Sequence, residues 1–311
     1  MDWWIILLGI MILIVATVVV IAYICFRISF YVPRRNSADS DAVETLEGEI
    51  YDPYREKMEQ WARETKLLPQ EEMEITSFDG LCLHGIYYEY APGAPIELMF
   101  HGYRGSAQRD LSGGVQRCFK LGRSALLVDQ RGSGRSEGQV ISFGVNERRD
   151  CLSWLAHMEK RFGPDVKIIL TGISMGAATV MMAAGEELPK NVIGVLADCG
   201  YSSAKKMIKI VIRRMKLPVE LSYPFVKLGA RLFGHFDLEE TSPIEAMKKC
   251  KVPVIFFHGE ADDLVPCEMS RECFEACVSE KRLVTVPGAG HGLSYPVEPE
   301  RYLQELQEFF A

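Results

Sequence analysis

Short apolar runs of strand length recur along this chain, and helical segments separate them. Three of these runs are "IELMF" at 96–100, "SALLV" at 124–128 and "VIGVLAD" at 192–198. Runs this short and this rich in branched apolar residues are typical of strands buried on both faces of a sheet. Because helical segments connect them, we predict an α/β fold with a mostly parallel sheet flanked by helices.

An uncharged apolar run at the N-terminus is the second feature that constrains how the chain is organised. No charged residue lies between Trp3 and Phe26, and about 20 apolar residues are enough to cross a bilayer as a helix. A signal peptide would have a shorter apolar core, a basic start and a small-residue cleavage site. We therefore predict an uncleaved transmembrane anchor over residues 1–27, with a cleaved signal or a buried core helix as the alternatives.

Charge and cysteine content bear on where the rest of the chain lies. Three basic residues, Arg27, Arg34 and Arg35, follow the apolar run, and the positive-inside rule places the domain after them in the cytoplasm. Nine cysteines without disulfide or zinc spacing are compatible with that compartment. The net charge of -7 gives no reason to expect a nucleic-acid partner.

Residues 28–70 are predicted to form a juxtamembrane linker and a helix, and residues 71–311 a single α/β domain. The linker is polar and acidic from Pro33 onward, as expected for a flexible connection. Asp52 followed by Pro53 has the pattern of a helix N-cap with proline at the first helical position. We therefore expect a helix to begin there.

Two stretches fit the G-x-S-x-G pattern of a serine nucleophile: "GISMG" at 172–176 and "GRSEG" at 134–138. A nucleophile elbow joins a strand directly to a helix. Ser174 meets this requirement because "KIILTG" precedes it and an alanine-rich helical segment follows it. Ser136 lies among glycine and polar residues with no helix start after it. The context therefore selects Ser174.

The glycines of the selected stretch have a steric role. The serine of an elbow adopts a strained backbone conformation, and its neighbours two residues away on either side pass close to each other. Side chains at Gly172 and Gly176 would clash there. The helix that follows directs its N-terminus at the serine, where its dipole stabilises developing negative charge.

A serine hydroxyl needs a general base, and the base needs an acidic group that orients it. Asp262 and Asp263 directly follow the strand "VPVIFF", and His291 lies in a glycine-containing loop after the last strand. The carboxyl ends of parallel strands form the edge at which such sheets bind ligands. The order Ser, Asp, His along the chain is the order found on this architecture.

The chain resembles the α/β-hydrolase superfamily, in the branch of esterases, monoacylglycerol lipases and serine aminopeptidases. Five segments carry the resemblance, in the family's order, from about residue 75 to the C-terminus: "HGYRGS", "DQRGSGRSEG", "GISMGAA", "HGEADDLVP" and "GAGHG". The resemblance implies an α/β-hydrolase fold. It also implies that the loop around Ser136 is a structural signature and takes no part in the chemistry.

Roles for four residues follow from the resemblance. Ser174 would be the nucleophile, and His291 would act first as general base and then as general acid. The backbone N–H groups of Tyr103 and Met175 would form the oxyanion hole. Because only these two backbones would matter, we expect their side chains to be free to vary.

The acidic member of the triad is assigned by its offset within the family's D-x-x-V-P pattern. Asp262 fits, because Val265 and Pro266 follow at that offset. Asp263 is the alternative. Asp198, which follows another strand, is a more remote third choice.

The same resemblance implies that residues 201–250 form a helical cap over the pocket. The cap begins with "SSAKKMIKIVIRRMKLP", which has six basic residues and no acidic one. This stretch predicts either a cap helix with a solvated basic face or a helix that rests on an anionic membrane surface beside the anchor. The six are Lys205, Lys206, Lys209, Arg213, Arg214 and Lys216.

The implied chemistry is acyl transfer to water through a covalent acyl-enzyme, and it requires no cofactor and no metal ion. We predict a membrane-anchored serine hydrolase that cleaves carboxylic esters, lipid-derived ones included. A serine aminopeptidase-like peptidase and an acyltransferase are alternatives, and a non-catalytic binding protein on this fold is an alternative from another class. The expected partners are a small acyl ester or a short peptide, and the membrane.

Overall fold

The structure is a computed structural model and describes residues 3–33 and 48–311. Most of the linker predicted from Pro33 onward lies outside the described residues. The same holds for Arg34 and Arg35, on which the predicted membrane orientation partly rests.

An eight-stranded sheet forms the centre of the chain, with the strands in the order β1-β2-β4-β3-β5-β6-β7-β8. Strands β1 and β2 pair antiparallel, as do β2 and β4, and all further neighbours pair in parallel. The predicted mostly parallel sheet is therefore confirmed. The strands are β1 (Glu71–Thr76), β2 (Cys82–Tyr88), β3 (Ile96–Phe100), β4 (Ser124–Val128), β5 (Ile168–Ile173), β6 (Val192–Asp198), β7 (Val254–Gly259) and β8 (Lys281–Val286).

Helices precede, connect and follow these strands. Three of them lie between β6 and β7, in the interval predicted to hold the cap: α6, α7 and α8. The helices are α1 (Trp3–Ser29), α2 (Arg55–Lys66), α3 (Ala107–Lys120), α4 (Glu147–Phe162), α5 (Met175–Ala183), α6 (Ala204–Arg214), α7 (Val219–Phe233), α8 (Pro243–Met247), α9 (Glu268–Ala276), α10 (Ser294–Val297) and α11 (Pro299–Phe309).

The central strands are buried along their whole length, which explains their apolar composition. All five residues of β3 and all five of β4 are buried. One of them, Glu97, is charged and fully buried. Its carboxylate pairs with Arg117 and, at 2.8 Å, with Arg123, and it accepts a hydrogen bond of 2.9 Å from the Thr171 hydroxyl.

Replacing Glu97 with glutamine is expected to destabilise the fold by about 3–5 kcal/mol, because two buried guanidinium groups then lose their counter-charge. Burial alone would raise the pKa of Glu97, but Arg117 and Arg123 outweigh it and lower the pKa to about 2. The carboxylate therefore contributes stability above its ordinary pKa, and this contribution is lost as the pH falls toward 2.

Urea unfolding of the detergent-solubilised chain at neutral pH measures this loss. The exposed Glu89 supplies the control, since Glu89→Gln should change the unfolding free energy by no more than about 0.5 kcal/mol. Equal effects of the two substitutions would show that the buried ion pairs do not stabilise the fold.

The segment before the sheet packs on the domain. The expectation of an N-cap at Asp52 is wrong: Asp52 opens a 3₁₀ turn, its carboxylate binds the Arg55 side chain, and α2 begins only at Arg55. From α2, Trp61 stacks on Tyr295 with ring centroids 5.1 Å apart. An added Cβ on Gly113 of α3 would lie 2.8 Å from Trp61, so the glycine makes room for the indole.

Helix α1 has two parts with different surroundings. Every residue from Trp3 to Thr17 is exposed. Ala22, by contrast, is buried against α7. The approach is close, since an added Cβ on Gly229 of α7 would lie 2.4 Å from the carbonyl oxygen of Ala22. By length and composition α1 is able to cross a membrane. Its exposed part is about 22 Å long at 1.5 Å per residue, less than the ~30 Å of a bilayer's apolar core. A membrane-spanning α1 would therefore bring the first part of the α1–α7 contact to the bilayer surface.

Candidate active site

Ser174 occupies a sharp turn between β5 and α5. Its backbone has φ 56° and ψ -117°, a conformation that L-residues adopt only where the surroundings impose it. An added Cβ on Gly172 would lie 2.2 Å from the carbonyl group of Gly176, and one on Gly176 would lie 2.0 Å from the carbonyl oxygen of Phe100. The predicted steric role of both glycines is confirmed.

Ser174, His291 and Asp262 meet at the carboxyl edge of the sheet. The Ser174 Oγ lies 2.9 Å from His291 Nε2, and His291 Nδ1 lies 2.7 Å from Asp262 Oδ2. A carboxylate only accepts hydrogen bonds, so Nδ1 carries the proton and Nε2 is left to accept the serine hydroxyl. This is the arrangement that a serine nucleophile and its general base require.

The Asp262 carboxylate receives donors at both oxygens. Oδ1 accepts the amides of Leu264 and Val265 at 2.9 and 2.8 Å, and Oδ2 lies 3.2 Å from His258 Nε2 in addition to His291. Burial alone would raise the pKa of Asp262, but its hydrogen bonds with His258 and His291 outweigh this and hold the pKa below its usual range. Asp262 is therefore ionised at neutral pH.

His258 lies beside Asp262, although the sequence did not single it out. Its Nε2 lies within reach of two acceptors, the Asp262 carboxylate and the carbonyl oxygen of Val265 at 2.9 Å, so this nitrogen carries the proton. Its Nδ1 accepts from the Ser270 hydroxyl at 2.6 Å. In the sequence, the contact is indicated only by the spacing of four residues between His258 and Asp262, which spans the end of β7.

The alternative residues lie elsewhere. The side chain of Asp263 is exposed, and its carbonyl oxygen accepts from Arg214. Asp198 is buried, and its carboxylate accepts from Ser294 and Tyr302, each at 3.0 Å. Its carbonyl oxygen instead accepts the Ser174 amide at 2.8 Å and so helps to hold the elbow.

Ser136 is also remote from His291. Its hydroxyl donates to the carbonyl oxygen of Asp129 at 2.6 Å and accepts the amide of His84 at 2.8 Å. These bonds join its loop to β2, as the structural reading of that loop implied.

The two expected oxyanion donors flank Ser174. Met175 is the first residue of α5, and Tyr103 follows Gly102, where an added Cβ would lie 3.6 Å from the Cβ of Ser174. Within the described part of the chain, neither amide donates to a backbone or side-chain acceptor. His101 fixes the start of the loop, because its Nδ1 donates to the carbonyl oxygen of Gly102 at 2.7 Å while its Nε2 accepts the Gln130 amide at 3.0 Å.

The Tyr103 side chain is not free, contrary to the expectation. Its hydroxyl donates to the carbonyl oxygen of Ser29, at the end of α1, over 3.0 Å. Its ring packs on Phe143 with centroids 5.2 Å apart. The loop that carries the expected oxyanion donor is therefore attached to the N-terminal helix.

Cys199 is a further buried neighbour of the histidine, with its Sγ 4.0 Å from His291 Nε2. The ligand atoms of Cys199, Asp262 and His291 lie within 4.8 Å of one another, which is close enough to hold a metal ion. Burial raises the pKa of the Cys199 thiol well above its usual value, and a protonated thiol is a poor metal ligand. In the structure His291 Nε2 lies 2.9 Å from the Ser174 hydroxyl and accepts its hydrogen bond.

Buried apolar side chains lie beside the elbow. They belong to one cluster, to which helices α5, α6 and α7 and the end of α1 all contribute. Met175, the residue after Ser174, is part of it. Its other members include Ala178, Met182, Met207, Ile208, Ile212, Val226, Phe26 and Phe30.

The basic face of α6 is largely paired with acidic residues of the domain itself. Lys205 pairs with Glu239 at 3.1 Å, and Lys209 pairs with Glu220 at 3.0 Å. Lys206 forms a third ion pair, with Glu272, at 2.6 Å. Arg214 donates to the backbone. These contacts favour the reading of α6 as a cap helix with a solvated face, since they reduce the charge available to anionic lipid.

Comparison with known proteins identifies relatives in sequence and fold. An Acinetobacter calcoaceticus protein named as a bifunctional esterase/perhydrolase is 38% identical over 282 residues, covering 76% of this chain and 98% of the relative. An uncharacterised Bacillus subtilis protein is 27% identical over 190 residues, covering 61% of this chain and 62% of that protein. The solved structure of a Pyrococcus furiosus esterase matches with a TM-score of 0.66 at 22% identity, over 90% of this chain and 97% of the other.

These similarities confirm the α/β-hydrolase fold. A sequence model described as the prolyl oligopeptidase family matches residues 118–311, well over half of the chain. The matched part contains Ser174, Asp262 and His291, whereas α1 and the Tyr103 loop lie before it. The chain belongs to the prolyl oligopeptidase family.

Proposed function

We propose that this chain is a membrane-anchored serine hydrolase that cleaves carboxylic esters through Ser174, His291 and Asp262. One observation carries the proposal: His291 lies 2.9 Å from the Ser174 Oγ through Nε2 and 2.7 Å from Asp262 through Nδ1. The base is thus within hydrogen-bond distance of both the nucleophile, which lies on a strained elbow, and the orienting acid. The esterase name of the Acinetobacter relative supports the same reaction class.

The reaction proceeds in two steps, acylation of Ser174 and hydrolysis of the acyl-enzyme. Ser174 Oγ attacks the carbonyl carbon while His291 Nε2 takes its proton, and the amides of Met175 and Tyr103 hold the resulting oxyanion. The bond to the alcohol then breaks, and His291 gives the alcohol its proton. In the second step His291 takes a proton from water, the new hydroxyl displaces Ser174 from the acyl carbon, and the proton returns to Oγ. Asp262 stabilises the imidazolium in both steps.

The surroundings of the elbow favour an apolar acyl group. Side chains from α5, α6, α7 and the end of α1 form one apolar cluster beside Met175. These side chains are buried against one another, and an alkyl chain that inserts among them would gain about 25 cal/mol per Å² of apolar area buried. A charged peptide terminus would lose its hydration there without compensation.

One substrate series and one covalent probe test the proposal on the full chain in detergent. p-Nitrophenyl esters with acyl chains of two to sixteen carbons should be hydrolysed, with an optimum at one chain length. A fluorophosphonate should abolish turnover and label the peptide that contains Ser174. If the wild-type chain neither hydrolyses any ester nor reacts with the probe, the proposal is wrong.

A peptidase is the second candidate, because the family that matches residues 118–311 is named for oligopeptide hydrolysis. The same triad can cleave an amide, with an amine as the leaving group. Aminoacyl-p-nitroanilides separate the two activities. Turnover of anilides without turnover of esters would assign the chain to the peptidases.

The membrane part of the proposal rests on α1, whose residues Trp3–Thr17 are all exposed apolar or small side chains. We expect the chain to stay in the membrane pellet after alkaline carbonate extraction and to be released by detergent. We also expect its N-terminal peptide to be found intact by mass spectrometry. Release by carbonate, or a mature chain that begins after residue 26, would indicate a peripheral protein or a cleaved signal.

A further inference from the structure

We propose that the end of α1 positions the oxyanion loop, so that the anchor helix takes part in catalysis as well as in attachment. The oxyanion loop is defined here as residues 101–106. The inference rests on the proposed function, because it concerns the hole that would stabilise the oxyanion formed at Ser174.

Helix ends leave their last carbonyl groups without intrahelical partners, and the oxyanion loop supplies partners for those of α1. The Tyr103 hydroxyl donates to the carbonyl oxygen of Ser29 at 3.0 Å. The Arg104 guanidinium donates to the carbonyl oxygens of Ile28 and Tyr31 at 2.9 and 3.3 Å. Two consecutive side chains of the loop thus cap one helix end.

The chain just after α1 is fixed to the domain on its other side. Phe30 is fully buried, and its carbonyl oxygen accepts the Ile141 amide at 2.8 Å. The amide of Val32 donates to the carbonyl oxygen of Gln139 at 2.9 Å. The Phe30 ring packs edge-on against Phe143 at 5.8 Å. The end of α1 is therefore fixed to the domain, and the oxyanion loop is hydrogen-bonded to this fixed segment.

The oxyanion loop needs such a support because its backbone is strained. Arg104 has a φ of 53°, which costs a residue with a side chain about 1 kcal/mol or more unless the surroundings hold it. The Tyr103 N–H belongs to the peptide that joins Gly102 to Tyr103, one residue before this strained position, and a hydrogen-bond donor stabilises an oxyanion only at about 2.7–3.1 Å. Bonds from the side chains of Tyr103 and Arg104 to a fixed helix end determine where that N–H points.

Two substitutions test this on the full chain in detergent. Tyr103→Phe removes one bond to α1 and keeps the backbone N–H. Tyr103→Phe combined with Arg104→Met removes all three bonds. We expect kcat for the best ester to fall about tenfold and about 100-fold, respectively, with KM within about twofold. The second-order rate of reaction with a fluorophosphonate should fall in parallel, since its phosphoryl oxygen occupies the same hole.

Tyr88→Phe is the matched control, because the Tyr88 hydroxyl also donates a single bond of 3.0 Å, to Gln70, far from Ser174. It should leave kcat and the fluorophosphonate rate unchanged. All variants should unfold at temperatures close to that of Tyr88→Phe, which separates positioning from a loss of stability.

Wild-type kcat in the double variant would overturn the inference, and so would an equal loss of kcat in Tyr88→Phe. A rise in KM at constant kcat would also overturn it, because it would place these side chains in substrate binding. Failure of the wild-type chain to react with the probe would instead overturn the proposed function.

Discussion

Ser174→Ala is expected to lower kcat for ester hydrolysis by about a millionfold, the largest effect of any single substitution proposed for this chain. The Oγ is the atom that would form the covalent bond to the acyl group, and nothing else at the elbow can replace it. Removing the nucleophile of a comparable triad has an effect of this size. Any remaining turnover would come from the oxyanion hole and from substrate binding alone.

The measurement compares initial rates at saturating p-nitrophenyl ester with active-site titration by the fluorophosphonate. Ser136→Ala is the matched control, since Ser136 lies in the other G-x-S-x-G stretch and bonds only to structural groups. It should keep kcat within about twofold and lose about 1–2 kcal/mol of unfolding free energy, because the His84 amide loses its buried partner. Activity that survives in Ser174→Ala but not in Ser136→Ala would mean that the nucleophile is Ser136 and not Ser174.

Features that depend on local sterics were predictable from the sequence. Gly172 has no room for a Cβ because the carbonyl group of Gly176, four residues ahead, lies beside it, and two glycines that flank the serine of a strand–serine–helix segment indicate that contact. The Asp262 backbone turn is equally local, since its carboxylate binds the amides two and three residues ahead. Such features appear in the sequence as residue types at fixed spacing.

Contacts between distant segments could not be predicted in this way. The Tyr103 hydroxyl meets Ser29 across 74 residues, and Lys206 meets Glu272 across 66 residues. Neither pair leaves a periodic or spaced pattern, because the partner is set by how distant segments pack against each other in the folded chain. This is why the sequence left open whether the basic residues of α6 face solvent or an anionic membrane, and why it predicted a Tyr103 side chain that is free to vary.

Asp262→Asn is expected to lower kcat by about 10⁴-fold while leaving the fold intact, the second largest effect. The amides of Leu264 and Val265 require an acceptor at the Oδ1 position, so the asparagine carbonyl oxygen will face them. Its NH₂ group then faces His291 Nδ1, which must give up its proton to accept. The proton moves to Nε2, where it blocks the acceptance of the Ser174 proton.

Asp263→Asn is the control, because the exposed Asp263 side chain is the alternative acid left open by the sequence. It should keep kcat within about twofold. The pH dependence bears on the role of Asp262, since hydrogen bonds with His258 and His291 outweigh its burial and lower its pKa. We therefore expect titration of this carboxylate to affect the wild-type kcat profile only below the ordinary pKa of an aspartate. If Asp263→Asn lost as much activity as Asp262→Asn, the hydrogen bond between Asp262 and His291 would not be the one that orients the base.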